Sequence, residues 1–152
     1  MEIERIEDQL KRAFEGEAWH GPSVREVLAG VTAEPAAAKP IPNAHSIWEL
    51  ALHIAAWEGA VRRRVQGEKV DLSSEEDWPP VKDTSEAAWK KTLETLENNH
   101  KELRKTVSGL SDSQLEQTVR GQAGYFYHLL HGVIQHDLYH AGQIAILKKA
   151  WK

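Results

Sequence analysis

Apolar residues recur at intervals of three and four along most of this chain, and no stretch alternates apolar with polar residue by residue. On a helix such spacing gathers side chains into one stripe, whereas a half-buried strand needs a period of two. An all-α fold is therefore expected. Ile3, Ile6, Leu10, Ala13 and Phe14 outline a first helix. Gly21-Pro22-Ser23 precedes Val24, Val27 and Leu28, a short extra helix with proline near its start. Residues 31 to 44, with Pro35, Pro40 and Pro42, read as loop. Ser46 and Glu49 fit a capping box, so a second long helix runs from there to about Gln66, with Gly67 as its stop. Residues 67 to 83 read as an acidic loop containing Trp78-Pro79-Pro80. Trp89, Leu93, Leu96, His100, Leu103 and Val107 form the seam of a third long helix. Ser111-Asp112-Ser113-Gln114 is another capping box that opens a short turn, and the last helix is predicted from near Gln122 almost to the end. Four long amphipathic helices joined by moderate loops predict a four-helix bundle.

A chain of 152 residues fits one domain, residues 1–152, large enough to bury a core without staples. There are no cysteines, which excludes disulfides, thiolate metal sites and a cysteine nucleophile. The net charge of -4 offers no basic surface, so neither nucleic acid nor an anionic membrane is an expected partner. The opening "MEIERIEDQLKRAF" is acidic and amphipathic and does not read as a signal peptide; a cytoplasmic location is the expectation.

One feature conflicts with a purely apolar core. On the last helix Leu129, Val133, His136, His140, Ile144, Leu147 and Trp151 share a face, so two histidines stand in the middle of an apolar stripe. Residues four apart on a helix are neighbours, and two imidazoles so placed can reach one metal ion. On the second long helix Ile47, Leu50, Ile54, Val61 and Val65 mark the buried side, and His53 lies at its boundary on a face with Trp57. One histidine from one helix and two from another can converge in a bundle core. Three neutral imidazoles with an open fourth position is the form of a catalytic metal site. Core histidines hydrogen-bonded to neighbours are the competing account, because a buried polar group needs a partner either way.

Other residues carry weaker signals. His100 can be core, pocket wall or fourth ligand, with core preferred; His128 and His131 point away from the stripe; His20 and His45 sit near helix starts, where local hydrogen bonds explain them. Gln143 shares the face of His136 and His140 and can orient a ligand or be a satisfied buried amide. Tyr139 can line a pocket or simply pack. Glu49, four residues before His53, can support it, although capping already accounts for it. Asp137 is turned about 100° from His136 and is not placed as a ligand. The run Arg62-Arg63-Arg64 reads as a solvated helix C-terminus favoured by the dipole, with capture of an anionic substrate as the alternative. The acidic residues 75 to 77 read as solvated loop.

The segments "HSIWELALHIAAWE" and "HDLYHAGQIAILKKA" resemble the two signature segments of the DinB-like superfamily, which includes YfiT-like metal-dependent hydrolases. "WHGPSVREVL" resembles a segment of one branch. The resemblance spans most of the chain. It implies a DinB/YfiT-like four-helix bundle, up-up-down-down or related, often a homodimer. It also implies His53, His136 and His140 as ligands of a divalent transition metal, zinc or nickel. The activities it implies are hydrolysis or transfer of a low-molecular-weight thiol to a small-molecule substrate; a non-catalytic metal- or ligand-binding bundle is the alternative. A metalloprotease is disfavoured, because Asp137 follows His136 where such a motif has glutamate and only twelve residues follow His140.

Overall fold

The computed structural model describes residues 1–151. Four long helices carry the fold: α1 (Glu2–Glu15), α4 (Ile47–Val65), α6 (Glu86–Ser108) and α7 (Phe126–Ala150). Three short helices, α2 (Val24–Leu28), α3 (Ala33–Ala37) and α5 (Ser74–Asp77), and a 3-10 turn at Asp112–Glu116 lie in the connections. Helix α4 packs on α6 and α7, and α1 closes the other side against the same two. No strand occurs among the described residues; two isolated β-bridges are all the extended pairing there is.

The stripes of α1 and α4 turn inward, whereas α7 is rotated so that Leu130, Ile134, Asp137 and Ala141 join Val133, His140, Ile144 and Leu147 in the core. Leu129 and His136 stand half-buried at its edge, and Trp151 is exposed. Ile3, Ile6, Leu10, Ala13 and Phe14 of α1 are all buried. So are Ile47, Leu50, Ile54, Val61 and Val65 of α4. The Ser46 hydroxyl accepts from Glu49 N, and the Glu49 carboxylate accepts from Ser46 N at 3.2 Å, which satisfies two of the amides orphaned at the start of α4. Its other end closes at Gly67, whose φ of 95° favours a residue without a Cβ. Buried polar bonds cross the layers: Trp48 Nε1 donates to Thr92 Oγ1 at 3.0 Å, and Asn99 Nδ2 to the carbonyl of Ala55 at 2.9 Å. The start of α1 is held by Asp112, whose carboxylate accepts from the amides of Glu2 and Ile3.

The structure departs from the sequence reading in three connections. Residues 31–44 hold helix α3 in spite of Pro35. That proline falls in the first turn, where its missing N–H would have had no intrahelical partner. Residues 67–83 hold α5, begun by a Ser73–Glu76 capping box whose spacing was present in the sequence. Helix α7 starts at Phe126 and not near Gln122. Between Gly121 and Gly124 the chain instead makes a tight turn, closed by Val119 N donating to Gly124 O at 2.8 Å and Phe126 N to Gln117 O at 2.9 Å.

Candidate metal centre

Helices α4 and α7 bring His53, His136 and His140 together, with one ligand atom of each lying within 4.8 Å of the others. His136 Nε2 stands 3.0 Å from His53 Nε2 and 3.2 Å from His140 Nε2. Nitrogens bound tetrahedrally to one ion at about 2.1 Å stand about 3.4 Å apart, so the observed spacing fits such an ion after small adjustment.

The outer ring nitrogens decide what the inner ones can offer. His53 Nδ1 donates to the backbone carbonyl of Asp77 at 2.7 Å, and the Asp77 carboxylate lies 3.1 Å away. A carbonyl only accepts, so the proton of a neutral His53 sits on Nδ1 and Nε2 is a bare lone pair. His140 Nδ1 likewise donates to Gln143 Oε1 at 2.5 Å, which bares its Nε2. Burial pushes all three imidazoles toward the neutral form, His136 to about 3, with the neighbouring rings adding to the effect there. Two lone pairs thus face a third ring whose Nε2 can give at most one proton. A cation at their meeting point removes that conflict, which is the arrangement metal-binding histidines share.

The loop after α4 contributes more than sequence reasoning assigned it. Asp77 is not merely solvated: its carboxylate also accepts from Trp57 Nε1 at 2.7 Å. Trp78 is sandwiched between His53 and His45, with ring centroids 3.7 Å and 3.6 Å away and planes within 8° of parallel. The Ser73–Glu76 box was the one signal for α5, the turn that aims Asp77 and Trp78 inward. Trp57 also stands edgewise to His53 and 6.0 Å from the His136 ring.

Other residues fall elsewhere. Glu49 does not reach His53; it holds His45 at 2.9 Å and Lys39 at 2.8 Å as well as capping α4. Tyr139 neither packs nor lines a cavity, being 66 % exposed with only its edge toward His140. Helix α7 puts Tyr139 on its outer side: it lies about 60° from the half-buried His136, in the direction away from the buried Asp137 and His140. His100 is core, stacked on Phe14 at 3.9 Å with Nδ1 3.2 Å from Glu58 Oε1. Asp137, set aside as a ligand by its rotation, and Glu58, which carried no sequence signal, are both fully buried. Burial raises the Glu58 carboxyl to about 8, and burial together with the facing Glu58 charge raises Asp137 well above the usual range.

The family model for the DinB superfamily matches residues 18–144, which include all three histidines. The chain belongs to the DinB superfamily. No curated protein and no solved structure matches it. Its all-helical bundle agrees with that membership, and the histidine group is compatible with metal binding. Among the described residues no helix is long and apolar enough to cross a membrane.

Proposed function

We propose that this DinB-superfamily chain binds one divalent transition ion, zinc or nickel, through Nε2 of His53, His136 and His140, and is a metal-dependent enzyme of hydrolase or thiol-transferase type. The observation that supports the reading is the pair of bared lone pairs, on His53 and His140, fixed by Asp77 and Gln143 to face one point. When bound, such an ion lowers the pKa of a water or thiol at its open position and so readies a nucleophile at neutral pH.

The protein's own groups supply the rest. Asp77 and Gln143 hold the tautomers of His53 and His140, so those two ligands need no proton shift before binding. Trp78 covers one face of His53 and limits water on that side. A cavity of about 540 Å³ reaches His136 and Trp57 from the other side, giving a substrate access to the open position. The chain has no cysteine, so any thiol is a co-substrate.

Two measurements test the reading. Metal analysis of the purified chain is expected to give one divalent ion per protein, and X-ray absorption three imidazole nitrogens at about 2.0–2.2 Å. A panel of low-molecular-weight thiols with model electrophiles, run beside ester substrates, is expected to show turnover that chelation abolishes. A metal-replete protein inert across both panels would favour the non-catalytic binding bundle.

A further inference from the structure

The three arginines at the end of α4 do not share one fate. Arg63 is exposed and pairs with Glu68 at 2.8 Å. Arg64 turns inward and is 8 % exposed. The more exposed Arg12, Arg25 and Arg104 each pair with a carboxylate. Arg64, the buried one, has no carboxylate within 4.0 Å among the described residues. Its Nε and Nη2 both donate to the carbonyl of Val70, at 3.1 and 2.8 Å, and its guanidinium lies 5.3 Å over the Trp57 ring. Nη1 makes no hydrogen bond to the described residues. A buried cation is normally paired, because losing its hydration is costly.

Arg64 lines the same 540 Å³ cavity that reaches His136. Its neighbours there are mostly apolar, Val61, Leu129 and Val133 among them, and no other arginine or lysine lines it. Trp57 bridges the two ends, one side toward Arg64 and the other 6.0 Å from His136. The α7 wall is opened at Gly132, where a Cβ would meet nothing within 4 Å.

We propose that this cavity takes a small molecule with an apolar body and one carboxylate, the carboxylate paired with Arg64 and the apolar part lying along Val61, Leu129 and Val133 toward the histidines. A single planar guanidinium matches a carboxylate, whereas a more highly charged group would call for further cations that the cavity lacks. Calling the occupant a substrate rests on the proposed metal site; its binding does not.

The test uses 3-phenylpropionate and its neutral counterpart 3-phenylpropanol, titrated calorimetrically into metal-loaded and chelator-treated protein. The carboxylate is expected to bind at least about tenfold more tightly than the alcohol in the wild type, the scale of one charge-assisted hydrogen bond. Arg64→Gln should reduce that preference to within about twofold. Gly132→Leu keeps the core intact and favours the helix, so it should fold, retain its metal and weaken both probes at least about tenfold by filling the cavity. If Arg64→Gln does not fold, the wild-type preference and the Gly132→Leu loss decide together. Equal affinity for the two probes, no binding of either, a preference that survives Arg64→Gln, or affinities that Gly132→Leu leaves unchanged overturns the proposal. Metal content is read separately: a chain that takes up neither zinc nor nickel when these are supplied, yet still prefers the carboxylate, rejects the metal site and keeps this one.

Discussion

Helices α4 and α7 bury two polar groups side by side, and the two are built differently. His53, His136 and His140 form one; Glu58 and Asp137, with His100 from α6, form the other, although Glu58 is five residues from His53 and Asp137 adjoins His136. In the first, the outward nitrogens of His53 and His140 are tied to Asp77 and Gln143, their inner nitrogens are bare lone pairs facing His136 Nε2, and a cavity reaches the edge. In the second, Phe14 stacks over His100, both carboxyls are fully buried, and the charge is removed by holding protons. The contrast teaches that burial alone does not make a metal site. What differs is whether the surroundings bare lone pairs or favour protonation.

The largest expected effect separates the groups by what each binds. His140→Ala should lower metal affinity at least about 100-fold, since two imidazoles cannot hold the ion as three do. The metal-free variant should stay folded, because the apolar stripe is untouched. Thermal melting with and without chelator checks this: the wild type should respond to chelator and the variant much less. If the wild type melts alike with zinc, nickel and chelator while the variant loses stability, the histidines are core and the contrast collapses.

A smaller effect should appear in the carboxyl group. Glu58 titrates near 8 in the folded chain against an ordinary 4.5, so the folded state holds the extra proton between those values. By linkage, stability falls as pH rises through that window. The lowered histidines act in the opposite sense and only below their ordinary 6.5, so above it the slope belongs to the two raised carboxyls, Glu58 and Asp137. Chelated wild type should lose on the order of 1–2 kcal/mol between pH 6.5 and 8. Glu58→Gln should reduce that slope and leave metal affinity within about twofold. Denaturant melts at several pH values read the slope; an unchanged slope in the variant would contradict the protonated pair.

The smallest effect sharpens the metal side. Asp77→Ala keeps the backbone carbonyl on His53 but removes the carboxylate from His53 and Trp57. Metal affinity should fall about tenfold, with less than about 1 kcal/mol of stability lost. Competition with a chromogenic chelator measures the first and urea melts the second. A loss of stability without loss of affinity would make Asp77 a loop anchor only.

The sequence by itself determined the four long helices, because the spacing of Ile, Leu, Val and Trp leaves a helix only one face to bury. It also determined that His53, His136 and His140 lie in or beside those faces, since that follows from rotation along each helix. Local chemistry was legible too where it was local: the Ser46–Glu49 box starts α4, and the Ser73–Glu76 box could have revealed α5. Tertiary structure alone decided the rest. Asp77 reaches His53 across 24 positions of sequence and Trp78 slides between two histidines, because the 67–83 connection folds back over α4. Glu58 and Asp137 become a proton-holding pair only when α4 and α7 meet. Within Arg62-Arg63-Arg64 nothing in the sequence distinguishes one arginine from the next. Helix rotation separates them, and the packing of α4 against α7 then sends Arg64 inward while Arg63 stays in water. Spacing along a chain fixes which residues share a face; only packing fixes what that face meets, and a side chain's charge and chemistry depend on what it meets.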